Sequence, residues 1–528
     1  MGGAGAVSRD LLRSTAVVGG MTLLSRVLGL TRDIVIARVF GAGSGADAFF
    51  IAFKIPNFLR RLFAEGSFSQ AFVPVLAEYR ARHTPEEARD LAASASGVLG
   101  GLLLVVTVLG ILAAPLLVLV FAPGFLADTA KYDLTVQMVR LTFPYILFIS
   151  LTALAGGILH SFGRFAVPAF TPVLLNLCLI GATLWLAPRL EEPVTALAWG
   201  VLIAGIVQLL FQLPFLRAVH MLPRPRWRRD HPGVRRILGL MLPGIFGSSV
   251  AQINLLIDTL AASFLVTGSV SWLYYSDRLM EFPLGVFGIA LATVILPRLS
   301  RHHAADATDD YSRTLDWSLR MVIVIGAPAA AGLFMLAGPL LTALFQYGEF
   351  GHHDARMAAL SLQAYALGLL GFILVKVLAP AFYARQDAVT PVRIGIVAML
   401  ANIVMNVAFV VPMVIWEIPA PHAGLALATT LAAFLNAALL YAHLYRVQWY
   451  RPASGWRRLI LQVGAATAAM LLALVLIQGD TAAWAGLEWQ ARVFRLGICT
   501  SAGMAVYFIS LWLLGLRWRH IAHPPGVA

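Results

Sequence analysis

Apolar runs of roughly twenty residues, separated by short polar stretches, recur from one end of the chain to the other. A helix that crosses a bilayer needs about 20 mostly apolar residues, each adding about 1.5 Å. That ruler predicts fourteen spans, near 15–40, 48–77, 91–121, 134–160, 166–186, 195–216, 237–266, 272–297, 321–345, 357–384, 394–411, 423–445, 459–477 and 496–516. Charges interrupt the first two. The longest polar stretches, around 217–236 and 298–320, are too small for a soluble domain. The pattern predicts an all-α, polytopic membrane protein whose chemistry lies within or at the edge of the membrane.

Composition agrees. The 528 residues are 59% hydrophobic and only 12% charged, with a mean hydropathy of +0.81. A soluble protein carries about 25% charged residues. A soluble enzyme, a disordered chain and a secreted disulfide scaffold are excluded. The net charge of +13 would suggest nucleic acid in a soluble protein. Here basic loops on the cytoplasmic side account for it, and no nucleic-acid partner is expected. With the N-terminus inside, the inside loops hold twenty-five of the 39 basic residues. The outside loops hold five: Lys131, Arg189, Arg356, Arg492 and Arg495. Both termini are therefore expected in the cytoplasm, with an even number of spans. Arg9 and Arg13 precede an apolar stretch as in a signal peptide, but no small-residue cleavage motif follows closely, so an uncleaved first helix is expected. Cys178 and Cys499 lie in apolar runs and read as small buried hydrophobes.

The two halves resemble each other at a fixed offset. Gly45 and Pro74 are matched by Gly268 and Pro297, and Pro168 by Pro391, each 223 residues on. Pro115 and Pro339, each opening a "PLL" run, are 224 apart. The offset spans six helices, so both halves enter the membrane in the same direction. Such a parallel repeat is a transporter architecture in which one lobe rocks against the other. The lobes are read as 1–222 and 223–448, with an extra pair of helices in 449–528.

Nine basic residues remain inside spans: Arg26, Arg32, Arg38, Lys54, Arg60, Arg61, Arg140, Arg278 and Lys376. Each costs about 2.5–3.5 kcal/mol at the bilayer centre on insertion scales, so such groups face a protein interior or a watery cavity. Local pairing suits some of them. Arg61 has Glu65 at i+4, Arg278 has Glu281 at i+3, and Arg38 lies near a boundary. Asp33 is adjacent to Arg32 and is expected to point elsewhere on a helix. A functional role leads for Arg26, Arg32 and Arg60; both readings stand for Arg61 and Arg278. A basic lining at membrane depth implies an anionic substrate. Arginine favours phosphate or carboxylate, because its planar fork holds two oxygens at once. Gly29, between Arg26 and Arg32, and Pro56, just after Lys54, are expected to weaken helix continuity there.

Oxygen-bearing side chains form a second group in the latter half. Asp258 sits in an apolar span, Asn402 and Asn406 are one turn apart, and Thr429 and Thr430 lie on the next helix. Hard oxygen ligands suit sodium or a proton; interhelical hydrogen bonding is the plainer role for Asn402 and Thr430. Walker, zinc-protease and serine-hydrolase motifs are missing, and no cofactor or enzymatic activity is expected.

The stretch 25–79, "SRVLGLTRDIVIARVFGAGSGADAFFIAFKIPNFLRRLFAEGSFSQAFVPVLAEY", closely resembles the MurJ (MviN) family. So do "GSVSWLYYSDRLMEFPLGVFGIALATVILP" at 268–297, "LFQYGEF" at 344–350 and "KVLAPAFYARQDAVTPV" at 376–392. The family comprises bacterial lipid II flippases of the multidrug/oligosaccharidyl-lipid/polysaccharide exporter superfamily. The resemblance implies fourteen helices in two lobes, a central cavity and export of the undecaprenyl-pyrophosphate-linked peptidoglycan precursor. It places the family's cavity arginines at Arg26, Arg32, Arg60 and Arg278, with Arg61 and Lys54 beside them. It marks Asp47 and Glu65 as acidic positions linked to function, with Asp33 and Glu281 next to the arginines. It assigns the extra helices a lipid-tail groove. Asp258, Asn402, Asn406 and Thr430 match the family's sodium site in part, Asn406 standing where an acid is expected. The implied partners are lipid II, membrane lipids and other cell-wall synthesis proteins.

Two rival classes remain. A drug/cation antiporter of the same superfamily would want acidic cavity residues. A membrane enzyme acting on polyprenyl substrates would want Asp-rich metal-pyrophosphate motifs or a sizeable outside domain. The last two features are missing, and the charges singled out for the cavity are basic rather than acidic. With no nucleotide motif, membrane potential is the expected driving force, with sodium or proton coupling as the alternative.

Overall fold

The computed structural model describes residues 3–61, 68–480 and 482–517. Among them there is no strand; the chain is a succession of helices in two compact units, Met1–Val270 and Ser271–Ala528.

In the first unit α1 (Gly3–Phe40), α2 (Ser44–Arg60), α3 (Ser69–Arg82), α4 (Pro85–Leu112) and α5 (Ala114–Phe121) are followed by α6 (Thr129–Thr142) and α7 (Tyr145–Ser161). Then come α8 (Ala166–Gly181), α9 (Thr195–Ala218) and α10 (Pro232–Ser263). Helix α9 packs on α7 and α8, α1 lies along α8, and α2 along α6. The segment α11 (Ser269–Pro283) leads into the second unit, which holds α12 (Ile289–Ala304), α13 (Thr308–Met335), α14 (Ala337–Leu344), α15 (His352–Tyr383), α16 (Val389–Ile415) and α17 (Pro421–Arg446). The chain closes with α18 (Trp456–Gln478), the short α19 (Ala482–Ala485) and α20 (Trp489–Leu513). There α15 and α16 flank α17, α13 lies on α15, and the pair α18 and α20 packs against α13 and α14.

The repeat recurs in the helix starts. Residues 85, 114, 129 and 166 open α4, α5, α6 and α8; residues 308, 337, 352 and 389, each 223 further on, open α13, α14, α15 and α16. Several expected single spans are two consecutive helices. Run 91–121 breaks at Ala113 and run 134–160 around Pro144, where a ring removes a backbone donor. By contrast α1 continues through Gly29 and α2 through Pro56, so neither residue interrupts its helix as expected.

Eleven helical stretches among the described residues are long and apolar enough to cross a membrane. The other three expected spans fall on α1, on α2 with α3, and on α10. Exposed aliphatic rows mark the lipid side: Ile396, Val397, Leu400, Val404, Val407 and Val411 on α16 are all at least one-third exposed. Since lipid tails are as apolar as these side chains, the helices are held together by close packing and internal hydrogen bonds. A core of Met321, Val324, Val463, Ala466, Met470 and Leu474 joins α18 to α13, with Cys499 fully buried in it; Cys178 is half-buried.

Two polar clamps fix the terminal pair. Buried Asp316 accepts hydrogen bonds at Oδ1 from the Tyr450 hydroxyl (2.7 Å), Trp456 Nε1 (2.8 Å) and Ala453 N (3.1 Å), while Arg320 Nε reaches Oδ2 (2.7 Å). Burial, and then this hydrogen bond, push the Tyr450 hydroxyl above its ordinary range, so it stays a donor. Arg492, expected in a loop, is buried; it donates to the carbonyls of Thr342, Gln346, Leu487 and Ala485 and lies over the Tyr347 ring. It satisfies carbonyls at the end of α14 that the helix itself cannot.

Candidate functional site

Three of the four arginines singled out by sequence, Arg26, Arg32 and Arg60, belong to the first unit, and Arg278 to the second. On α1, Arg32 is buried and Arg26 half-buried. The Arg32 guanidinium donates to Asp33 Oδ1 through Nε (2.9 Å) and NH2 (2.6 Å), and through NH1 to Asn176 Oδ1 (3.1 Å). The expectation that Asp33 points away from Arg32 is thus wrong. Neighbouring positions on a helix are about 100° apart, but the four-bond arginine stem is long enough to curl back to the adjacent carboxylate. Asn176 completes the cluster from α8, giving its own Nδ2 hydrogen to Ser25 O at 3.0 Å. Its signal in the sequence is one amide in the apolar run "PVLLNLCLI".

At the end of α2, Arg60 is half-buried and donates from Nε to Asn57 Oδ1 at 3.1 Å. Lys54, on the same helix, is half-buried, and Arg61 is exposed. Glu65 lies outside the described residues. Arg38, Arg140 and Lys376 are exposed on their helices, as snorkelling side chains are.

Asp47 is 1% exposed, and its Oδ2 accepts from Lys131 Nζ and from the backbone N–H of Gly268, both at 2.8 Å. Lys131, expected in a loop, is itself 5% exposed and sits over the Phe125 ring. Gly268 has φ +99°, where a side chain would be strained, so glycine lets the chain present this N–H just before α11. Asp47 therefore ties α2, α6 and the approach to α11 together. Removing one partner of a buried pair leaves an uncompensated charge and costs about 3–5 kcal/mol. Lys131→Met is expected to lower the melting temperature in detergent sharply. Lys131→Met with Asp47→Asn should recover most of the loss, because an amide oxygen still accepts from Gly268. Equal melting of Lys131→Met and the parent chain would show that the pair does not hold the fold.

In the second unit Arg278 donates from NH1 to Glu281 Oε2 (3.1 Å) and from Nε and NH2 to the Tyr274 hydroxyl (3.3 Å each). The i+3 pairing expected from sequence is present. Tyr274 is the neighbour that sequence reasoning missed; i−4 spacing on α11 is its signal. The side chain stays 37% exposed.

Asp258 is half-buried on α10. Asn402 and Asn406 are buried on one face of α16. The Thr430 hydroxyl donates to Ala364 O at 2.7 Å, joining α17 to α15, and Thr429 bonds its own helix at Leu425 O. Among the described residues no group of three or more His, Cys, Asp or Glu could hold a metal ion.

The chain matches the family model described as lipid II flippase MurJ over residues 36–494. A probable lipid II flippase MurJ of Vibrio cholerae is 49% identical over 98% of both chains. The lipid II flippase MurJ of Burkholderia cenocepacia is 44% identical over 97% of this chain and 99% of its own. Among solved structures, a lipid II flippase MurJ in an inward closed conformation superposes with a TM-score of 0.77 at 23% identity, covering 96% of this chain and all of that one. An inward-facing multidrug transporter of the MATE family has a TM-score of 0.63 at 14% identity over 82% of this chain. These two likenesses speak to the fold. The breadth and identity of the sequence matches decide the membership: this chain is a multi-pass membrane transporter and belongs to the lipid II flippase MurJ family.

Proposed function

We propose that the chain moves lipid II from the inner to the outer leaflet of the bacterial inner membrane by alternating access. The observation that carries this reading is 49% identity along 98% of both chains to the Vibrio cholerae relative, whose name is that activity. No bond in the substrate is made or broken; what is required is a site that offsets the cost of moving a charged headgroup through the membrane. Arg26, Arg32, Arg60 and Arg278 supply it for the pyrophosphate, with Lys54 and Arg61 adding positive charge. The half-exposed guanidinium of Arg278 and the half-buried ones of Arg26 and Arg60 fit that role. Fourteen crossings, both termini in the cytoplasm, lobes at 1–222 and 223–448 and a tail groove in 449–528 complete the proposal. Other cell-wall synthesis proteins are its natural partners. Proteoliposomes holding the purified chain test the activity: lipid II in the inner leaflet should become accessible to an external probe, and an unchanged inaccessible fraction would refute it.

Asp258, Asn402, Asn406 and Thr430 are proposed as the coupling site for sodium or a proton. Thr430 donates its proton to Ala364 O, and a hydroxyl oxygen that donates still has lone pairs able to accept. Asp258→Asn is expected to slow transport severalfold while leaving folding intact, and to flatten any response to sodium or pH. Parent rates across both conditions would remove Asp258 from the mechanism.

A further inference from the structure

The link between α9 and α10, residues 219–231, joins the two halves of the repeat, and none of the roles above uses it. It is laid down on α4. Arg226 N donates to Ala93 O at 3.0 Å. At Gly97 and Gly101 an added Cβ would run into the Arg226 backbone and the Trp227 ring, so two glycines one turn apart make the seat. Asp90, near the head of the same helix, accepts from Arg226 NH1 (3.0 Å) and Arg228 NH1 (2.9 Å). The first turn of α10 is wedged beside this seat: Gly233 is buried where a Cβ would press on Leu91 of α4 and Tyr79 of α3.

The link ends on a histidine that caps this turn. The Nδ1 of His231 accepts the Gly233 N–H at 3.1 Å. Helix caps are usually Ser, Thr, Asp or Asn, whose oxygens accept at any pH near neutrality. An imidazole nitrogen accepts only while it carries no proton. With Nδ1 as acceptor, the ring's one hydrogen lies on Nε2, 3.8 Å from Asp90 Oδ2. The other charged groups around the ring are engaged. On α3, Tyr79 lies 5.9 Å from the His231 ring and stacks with His83, which pairs with Glu87 of α4 at 3.3 Å. Glu78 pairs with Arg236 (2.8 Å) and Asp230 with Arg235 (2.9 Å). The His231 side chain is 11% exposed. Burial holds its imidazole below the ordinary range; Asp90 works against that shift and Arg228 with it.

We propose that His231 is a proton switch on the link: a second proton turns Nδ1 from acceptor to donor, releases the Gly233 cap and draws the ring to Asp90, loosening the first turn of α10. Two N–H groups then face each other where one bond was, while the imidazolium gains a carboxylate that Arg226 and Arg228 already share. The folded state favours the neutral ring. The capped turn is therefore complete above the ordinary histidine value of about 6.5 and is lost as pH falls through and below it. This turn begins the helix that carries Asp258, so acid on the side of the basic loops acts on the candidate coupling helix without touching the pyrophosphate site. Which compartment that is rests on the proposed cytoplasmic side of the link; the switch itself does not.

Hydrogen exchange of the purified full-length chain in detergent, followed by mass spectrometry at about pH 7.5, 6.5 and 5.5 and scaled for the intrinsic pH dependence of exchange, tests the switch. Peptides covering 231–238 should lose protection about threefold to tenfold between the highest and the lowest pH, the size of one lost cap. His231→Asn caps through an oxygen that does not titrate, and should keep the parent's highest protection at all three. His231→Ala should exchange fast throughout. His83, whose ring stacks on the same tyrosine, is the control: His83→Gln should titrate as the parent does. Peptides from α9, which has no histidine, should hold steady, since the fold stays intact. A flat parent profile, a His231→Asn variant that follows the parent, His231→Ala as protected as the parent at the highest pH, a transition abolished by His83→Gln, or an equal loss in α9 would each overturn the proposal. The measurement reads no transport, so the switch stands or falls apart from the flippase reading.

Discussion

Alanine at any one of Arg26, Arg32, Arg60 or Arg278 is expected to abolish growth support in a host depleted of its own flippase, while the variant still accumulates in the membrane. Each proposed contact is charge-assisted, worth about 1.5–3 kcal/mol, and the four are proposed to act on one pyrophosphate. Lysine should rescue partly at best, because a point charge lacks the fork that spans two oxygens. Arg32 should differ from the others. Its guanidinium already holds Asp33 and Asn176, so Arg32→Ala also removes these buried hydrogen bonds and should lower the melting temperature. Arg26→Ala and Arg278→Ala should leave melting nearly unchanged. Complementation and immunoblotting of the four alanine variants decide this; normal growth with all four would remove the arginines from substrate binding.

Collapse of the membrane potential, at clamped pH and sodium gradients, is expected to stop flipping within the time of a turnover. A pyrophosphate moving outward from an electrically negative cytoplasm gains about 2.3 kcal/mol per charge per 100 mV. Two charges gain roughly 4–5 kcal/mol, about three decades in an equilibrium constant. A cationic empty site of the kind proposed would be pulled the opposite way, toward the cytoplasmic side, so the same potential is proposed to reset the lobes. Flipping that continues unchanged under the clamp would transfer the driving force to the Asp258 group.

Local patterns in the sequence were enough for the helices, because lipid demands that each span be apolar and satisfy its own backbone. The repeat was legible for a related reason: prolines and glycines that set breaks and turns recur where the helix starts do. Pairings across long separations were not legible. Lys131 and Arg492 stand at the ends of apolar runs and read as loop charges, yet each is buried by partners far away in the chain, Asp47 and the carbonyls of Thr342 and Gln346. The available hint was Asp47 itself, an acid in an apolar run with no base at i+3 and Lys54 only at i+7. Arg32 and Asp33 are a different case: the helix backbone sets them about 100° apart, but the reach of a flexible side chain decides the contact. Asn176 was overlooked because an amide in a transmembrane run is usually a plain interhelical hydrogen bond; its importance comes from which arginine it meets.

The most direct measurement is of lipid II itself in the native host. When the chain is depleted, lipid II exposed on the outer leaflet, scored by cleavage with an externally added lipid II hydrolase, should fall to near zero while total lipid II rises. Re-expression of the parent chain should restore exposure, and the Arg278→Ala variant should not. Undiminished cleavage in depleted cells would contradict the assignment of this chain as their lipid II flippase.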